Sequence, residues 1–403
     1  MLNKNNEREL AYLVRVDGIS PMDADRLECA HIGGWNCVVG KGEFRPGNIA
    51  VFFEIDSKLP DVEPFSSMYF LSQKKFKIKS QKIRGVISQG LLVPVFMFGW
   101  KENVDGSVYL PKEKKFIYVD DETRFLTQKL KITYAVAEDN VRKAKAPDRS
   151  KEIARKYPNF FSKPVVRKLM RHDWFRKAVV LCVPMPKRRD KFPTHIAPRT
   201  DVERIQNMMW VFEGKQTYVA TEKVDGTSCS VMVERKPFNR LKYYVCSRNV
   251  VFEDRNQECF YDSNVYFEAY EKYNLKEIIT RILKDYKLKN LAIQMEVYGK
   301  DIQKREYSIN DHRIAVFHLV SNGIKFPMDE TVAICEKYGL PHVAIVDDNY
   351  ILPDTIEELQ EFVEGAPSEI DGGMREGIVF YDKKTGQQYF KFVSPNYLLS
   401  YHS

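Results

Sequence analysis

Glu222-Lys223-Val224-Asp225-Gly226 is the stretch on which the reading of this chain turns. Two strand candidates, Tyr218 to Lys223 and Thr227 to Val233, flank it. Taken alone, Lys-x-Asp-Gly is a weak signal, and its bland reading is a hairpin with Asp-Gly at the tip. What lifts it is the company it keeps, in a fixed order. Ser247-Arg248-Asn249 follows at the end of a strand candidate, then Gln294-Met295-Glu296-Val297-Tyr298-Gly299, then Ile314-Ala315-Val316-Phe317. Arg375-Glu376-Gly377-Ile378-Val379 and Phe390-Lys391-Phe392 complete the series.

Working outward, these pieces lie in a long α+β region running from about residue 192 to the end. Further strand candidates are Lys242 to Cys246, Leu291 to Val297, Arg313 to Val320, Gly377 to Tyr381 and Gln387 to Val393. Leu275, Ile278, Ile279, Ile282 and Leu283 fit the spacing of one helix face. Thr331 to Lys337 and Thr355 to Glu364 read as helices stopped by Gly339 and Gly365. Thr200-Asp201-Val202-Glu203 has the form of a capping box that opens a short helix. Tyr261, Tyr266, Phe267, Tyr270 and Tyr273 read as a packed helix face.

Residues 10 to about 115 have a different texture. Short strand candidates (Ala11 to Val16, Trp35 to Val39, Ile49 to Ile55 and the run Ile83 to Val95) are separated by Gly40, Gly42, Pro46 and Gly47, the pattern of a small β-barrel. Between Lys74 and Arg84, lysines alternate partly with Phe76 and Ile78, so a strand there presents a basic face. Such a face is either a nucleic-acid groove or an edge strand guarded by lysines.

The 403 residues carry 63 Lys/Arg and 55 Asp/Glu, a net charge of +8. The excess is local: residues 141–190 hold 16 Lys/Arg against 4 Asp/Glu, so the rest of the chain is mildly acidic. A concentrated basic segment points to a polyanionic partner. Tyr157, Phe160, Phe161, Trp174 and Phe175 are interleaved with the charge and offer rings to bases. Val165, Val166, Leu169 and Met170 fall at helical spacing; the alternatives are a solvated linker or a membrane-surface helix. The longest apolar stretch, Gly90 to Trp100, is too short to span a bilayer, and the first residues lack the apolar core of a signal peptide. Seven scattered cysteines without a Cys-x-x-Cys pair argue against a structural zinc site and a disulfide framework, and suit an intracellular reducing compartment such as the cytoplasm.

The ordered motif set resembles the covalent nucleotidyltransferase superfamily of ATP-dependent ligases and mRNA capping enzymes. Within it the sequence is most similar to the RNA ligase group with an N-terminal OB domain, typified by the Naegleria RNA ligase. Asp23-Ala24-Asp25-Arg26-Leu27-Glu28 through Gly34-Trp35, with Ile83-Arg84-Gly85 and Ser88-Gln89-Gly90-Leu91, looks like that group's OB domain. Pro198-Arg199-Thr200-Asp201-Val202-Glu203-Arg204-Ile205-Gln206 looks like its lead-in to the catalytic domain. The resemblance covers residues 10–115 and 192–403. It implies an OB-fold domain over 1–125, a basic and partly helical insert or linker over 126–190, and an ATP-grasp-like nucleotidyltransferase domain of antiparallel sheets flanked by helices over 191–403.

It also implies roles. Lys223 matches the nucleophile that takes AMP from ATP as a lysyl phosphoramidate. Asp225 and Glu376 match the carboxylates that orient the waters of Mg²⁺ or Mn²⁺, hard cations that prefer oxygen. Glu296 looks like the ribose-binding glutamate, Arg248 like the arginine at the ribose or phosphate edge, and Phe317 like the ring that stacks on adenine. Glu222 is placed to read the adenine amino group, through its side chain or its backbone carbonyl, and Lys391 and Arg204 to contact phosphate. An ordinary lysine, with a pKa near 10.4, is almost wholly protonated at neutral pH. Lys391, Arg248 and the metal are the cations expected to lower that of Lys223. The group's last motif usually carries a second lysine; here Gln387, Gln388, Tyr389 and Phe390 precede Lys391, leaving Lys383 or Lys384 to stand in.

The implied activity is ATP-dependent RNA ligation for repair, joining a 3′-hydroxyl to a 5′-phosphate, in a monomer that binds RNA and no membrane. DNA ligases and capping guanylyltransferases share the chemistry, but their first motif typically has an arginine where Ser228 stands, and their OB domain usually follows the last motif. A non-catalytic RNA-binding protein on the same scaffold has no need of the full set of charged residues.

Overall fold

The computed structural model describes residues 1–135, 153, 157–182, 192–305, 307–386 and 389–402. Residues 136–152, 154–156 and 183–191, which belong to the basic segment, and Gln387 and Gln388 lie outside the described residues.

In the N-terminal region the run Ile49–Phe53 is apolar throughout, and every residue of it is buried. It is the middle strand of a three-stranded antiparallel sheet between Ala11–Arg15 and Leu91–Pro94, with Leu13 opposite Val51 and Val51 opposite Val93. Alternation along these strands feeds two cores. Leu13, Val51, Phe53 and Val93 face one, shared with Val108, Leu110 and Ile117 of the hairpin Ser107–Leu110 and Lys115–Tyr118. Tyr12, Ala50, Phe52 and Leu92 face the other, shared with Ala30, Ile32, Trp35 and Cys37 from a second antiparallel sheet, Gly18–Pro21, Leu27–Ile32 and Trp35–Gly40. A strand buried on both faces needs no polar alternation, which is why Ile49–Phe53 reads as a continuous apolar run. Leu126 and Ile132 also pack in the first core, and Thr133–Tyr134 pairs with Ser57–Lys58, so the chain stays with the barrel through residue 135.

The expected basic strand over 74–84 does not form. A short helix, Tyr69–Gln73, is followed by Lys75 and Phe76 at positive φ, and only Gln81–Ile83 is strand. Left-handed residues cannot continue a pleat, so the lysines fan out from a loop.

The C-terminal region holds two sheets. One has the order Glu203–Arg204, Tyr389–Val393, Gly377–Asp382, Thr217–Lys223, Ile345–Ile351, antiparallel except for the first pair. The other runs Val251–Phe252, Arg240–Ser247, Thr227–Lys236, Asn290–Gly299, His312–Ser321, Ile324–Lys325 and is antiparallel throughout. The helices Val265–Lys272, Leu275–Asp285 and Met328–Tyr338 cover one face of the six-stranded sheet with Ala269, Ile279, Ile282, Ile334 and Cys335. Ile356–Glu364 covers the five-stranded sheet through Leu359 and Val363. It begins with a true capping box, Thr355 with Glu358.

The box expected at Thr200 to Glu203 opens no helix. Thr200 Oγ1 is bound to Ser228 Oγ at 2.6 Å, while Glu203 accepts from the Arg204 and Asn207 nitrogens. Both side chains are committed to tertiary partners, and Glu203–Arg204 joins the sheet. Gly339 is left-handed as a helix stop should be, with φ 69°, whereas Gly365 ends its helix in the right-handed region.

The barrel is seated on the five-stranded sheet. Val393 and Leu398 enter its second core. Asn207 ties the two parts together: its Oδ1 accepts from Trp35 Nε1 at 2.8 Å and its Nδ2 donates to Glu54 Oε1 at 3.0 Å.

Candidate active site

Lys223 ends its strand in one sheet and Thr227 begins the next strand in the other, so the motif is not a hairpin. It is the crossover between two sheets. Residues on it therefore face both. Gly226 makes the approach possible, because a Cβ there would lie 2.4 Å from the Val297 carbonyl oxygen and 2.8 Å from Glu296 Cγ. Gly377, opposite Lys223 on the neighbouring strand, is equally constrained by the Phe392 carbonyl at 2.2 Å.

The Lys223 amine lies 2.7 Å from both oxygens of Glu376, whose residue precedes that neighbouring strand. The lysine side chain is 23% exposed and the glutamate 9%, so the pair is largely buried but reachable from solvent through the lysine. Burial pushes the amine's pKa down, but Glu376, Glu296 and Asp225 outweigh it and hold it above the ordinary lysine range. This reverses the expectation that neighbouring cations dominate. Arg248 is not among the largest influences on Lys223; it is committed to Asp201, with Nε 3.2 Å from Oδ2 and Nη2 against Oδ1.

The carboxylates respond in kind. Burial raises Glu296 to about 8, with Lys223 opposing and Glu376 and Asp225 reinforcing the rise. Burial also raises Glu376, against the pull of Lys223. Asp225 moves the other way: burial pushes it up, but His402, Lys223 and Tyr397 outweigh that. Its Oδ2 accepts from the Tyr397 hydroxyl at 2.7 Å and lies 3.4 Å from His402 Nε2, while its backbone N–H donates to the Tyr307 hydroxyl at 2.6 Å.

Lys391 faces the same space from the strand Tyr389–Val393. Burial drives its pKa well below the lysine range, and Arg204, Arg8 and Lys223 push it further. Arg204 is its parallel-strand partner. That guanidinium is 6% exposed, 3.7 Å from Asp56 and stacked over Trp35, and its Nε and Nη1 have no hydrogen-bond partner among the described residues. Buried N–H groups left in that state favour an incoming anion. Lys383 cannot stand in for the missing lysine: it follows the far end of Gly377–Asp382, where its backbone bonds to Thr217, and its amine donates to Asn349. Lys384 shares that remote turn. Arg204 and Arg8 are the cations placed beside Lys391.

Phe317 occupies a β-bulge, because Gln294 pairs with His318 and Met295 with Val316. Its half-buried ring packs with Val224, Tyr307 and Ala315, next to the crossover, whereas Ile314 points into the helix-covered core. Glu222, adjacent to Lys223, points to the opposite face of its strand. Its carboxylate is taken by Ser368 Oγ and the Glu369 N–H, the latter at 2.7 Å. Only its backbone carbonyl remains for a base.

The structure thus clusters Lys223, Asp225, Glu296, Glu376 and Lys391 within electrostatic reach of one another, with Phe317 packed beside Val224 and Arg204 beside Lys391. It turns the Glu222 side chain away and pairs Arg248 with Asp201. Sequence reasoning missed Tyr307, Tyr397, His402 and Arg8. No spacing pattern relates them to the motif, and only tertiary folding carries them there.

Among the described residues no three His, Cys or acidic groups converge tightly enough to ligate a metal directly. The donor set is nevertheless oxygen-only and negatively charged, and two of its three carboxylates are held in a weakly acidic state that a cation would relieve. That fits a hard divalent ion held through its own waters.

Comparison with known proteins places these observations in context. A model described as an RNA ligase matches residues 216–393, and one described as an OB-fold domain matches residues 10–95. Among curated proteins no sequence match is found. Solved structures of Naegleria gruberi RNA ligase are similar in fold. A variant with ATP and manganese superposes with a TM-score of 0.70 at 24% identity, covering 98% of this chain and 100% of that chain. A variant with AMP and manganese gives 0.69 at the same identity, covering 98% and 99%.

Proposed function

We propose that the chain is an RNA ligase, the family whose model matches residues 216–393, and that it joins RNA ends in an ATP-dependent reaction passing through an adenylate on Lys223. The observation that carries the reading is the Lys223 amine, solvent-accessible at a sheet crossover and 2.7 Å from both oxygens of Glu376.

In the first step the amine attacks the α-phosphorus of ATP. A nitrogen–phosphorus bond forms, the bond to the β-phosphate bridging oxygen breaks, and pyrophosphate leaves. The amine must shed a proton first, and Glu376, made more basic by burial, is placed to take it. Lys391, Arg204 and Arg8 meet the charge on the phosphates. Glu296 is the acceptor for the ribose hydroxyls, and Phe317 offers its ring to the base beside Val224. Mg²⁺ or Mn²⁺, when bound, supplies positive charge at the phosphates; Asp225 and Glu376 are the residues that would hold it, and Tyr397 and Tyr307 fix Asp225 in place. The ATP, AMP and manganese complexes of the Naegleria protein support this choice of nucleotide and metal.

In the second step a 5′-phosphate oxygen of RNA attacks the same phosphorus, the nitrogen–phosphorus bond breaks, and Lys223 recovers a proton. In the third a 3′-hydroxyl attacks the activated 5′-phosphorus, AMP departs, and a proton is released as the phosphodiester closes.

The test is a nicked RNA duplex with 3′-hydroxyl and 5′-phosphate ends, incubated with ATP or GTP and Mg²⁺ or Mn²⁺. Sealed strand and an AMP-capped intermediate with ATP are expected. Transfer of GMP in place of AMP, or sealing of DNA nicks alone, contradicts the reading.

A further inference from the structure

The end of the six-stranded sheet remote from Lys223 carries a surface that the chemistry above does not use. Thr227–Lys236 and Arg240–Ser247 close there in a hairpin with Pro237, Phe238 and Asn239 at its tip. Phe238 is 92% exposed and left-handed, with φ 60° and ψ 30°. A bulky side chain is strained in that region, and at this exposure the ring buries almost nothing in return. The turn is braced from below. Arg235 donates through Nε to the Leu288 carbonyl at 3.1 Å and through Nη1 to Asn239 Oδ1 at 2.9 Å.

Around the ring the surface is basic. Lys236 and Arg240 are opposite each other across the hairpin, an unfavourable like-charge pairing. The Arg235 N–H donates to the Lys289 carbonyl, which brings the turn bearing exposed Lys284, Lys287 and Lys289 alongside. The acids of these two segments are Glu234 and Asp285. Glu234 is engaged by Lys236, His195 and Tyr244, and Asp285 by the Tyr338 hydroxyl. The patch therefore keeps a strong positive excess.

We propose that this end of the sheet is a second RNA contact, in which Phe238 stacks on an unpaired base while Arg240, Lys287 and Lys289 hold the flanking phosphates. Aromatic rings recognise RNA through bases splayed out of loops and bulges. The strand from Thr227, beside the Lys223 crossover, to Lys236, beside the tip, runs about 30 Å at about 3.3 Å per residue, on the order of one turn of a nucleic-acid helix. The substrate class this selects is a structured RNA whose loop or bulge lies about one helical turn from the break. The inference rests on the RNA ligase reading and extends it from the ends to the arm of the substrate.

The test compares two nicked RNA probes carrying a 5′-phosphate: one with a hairpin loop about one turn from the nick, and one cut to about half a turn on that side. Affinity is measured by fluorescence anisotropy over a range of salt, and adenylate formation is measured separately with labelled ATP and no RNA. Phe238→Asn tolerates the left-handed backbone, so the fold is preserved. It is expected to weaken binding of the long probe about 5- to 150-fold. The triple variant Arg240→Gln, Lys287→Gln, Lys289→Gln is expected to reduce the slope of log affinity against log salt by about 2 to 3. Short-probe affinity and adenylate formation stay at the parental level. Unchanged long-probe affinity and slope would overturn the proposal, as would equal losses on both probes. Failure of the parent protein to form an adenylate would instead remove the ligase reading while leaving the RNA surface to stand or fall on its own result.

Discussion

Glu54, at the seam between the barrel and the sheets, and Glu296, in the candidate active site, are the same residue type, both largely screened from water, yet their acidities move in opposite directions. Burial pushes both up. At Glu54 the cations win: the Met1 ammonium, bound to its Oε1, and Arg8, whose Nη2 donates to it at 3.0 Å, hold its pKa far below the glutamate range, while the Tyr12 hydroxyl at 2.8 Å and Asn207 at 3.0 Å also donate to it. At Glu296 the neighbours are two further carboxylates and a shared lysine, and the pKa climbs to about 8. A buried charge with all its partners in the fold is a fastener. A buried charge whose partners are like charges is a place prepared for something that arrives. Arg204, beside Lys391 with two partnerless N–H groups, is the cationic counterpart of Glu296.

That contrast is open to attack at several points. The largest effect is expected at the site itself: Glu376→Ala should slow single-turnover adenylate formation by at least about 100-fold while leaving the circular dichroism spectrum unchanged. A rate within a few-fold of the parent would deny Glu376 its place against Lys223. Next comes the seam. Glu54→Ala leaves Arg8 without its hydrogen-bond acceptor and should lower unfolding stability in urea by about 3–5 kcal/mol. Glu296→Gln, by contrast, removes a disfavoured charge and should be neutral or stabilising by about 1 kcal/mol. Equal losses from the two substitutions would erase the distinction.

The pH dependence sharpens the same point, measured in chelator without nucleotide. A lowered carboxyl contributes stability above its unfolded pKa, about 4.3, and loses it as pH falls. Glu54 therefore steepens the acid limb, and Glu54→Gln should flatten it. A raised carboxyl contributes stability below its unfolded pKa and loses it as pH rises through the folded value. Glu296 therefore costs stability progressively between about pH 4 and 8, and Glu296→Gln should flatten that interval instead. The smallest effect is expected at Lys383, whose amine is tied to Asn349 far from the site: Lys383→Ala should change the adenylate rate by less than about twofold.

Much of this was legible in the chain. Strands that are apolar or alternate cleanly, such as Thr217–Lys223, Asn290–Gly299 and His312–Ser321, announce themselves, and Leu275–Asp285 carries a clear helical stripe. Ile345–Ile351 did not, because Asp347, Asp348 and Asn349 interrupt it; an edge strand with solvent on one side tolerates that polarity. Thr200 to Glu203 failed because a capping pattern describes what four residues can do for one another, not what Ser228 and Asn207 will ask of them. The site divides along the same line. Lys223, Asp225, Glu296, Glu376 and Lys391 sit in recognisable local contexts. Tyr397 and Tyr307 reach Asp225 from distant segments with no local signature, and the charge balance at Lys223 is a sum over residues brought together only by folding.

The measurement that bears most directly on the central claim is peptide mapping by mass spectrometry of the protein after incubation with ATP and Mn²⁺, beside Lys223→Ala treated identically. The account predicts one added AMP, carried on Lys223 and lost when pyrophosphate is supplied, and none in the variant. AMP found on another residue, or retained by Lys223→Ala, would contradict it.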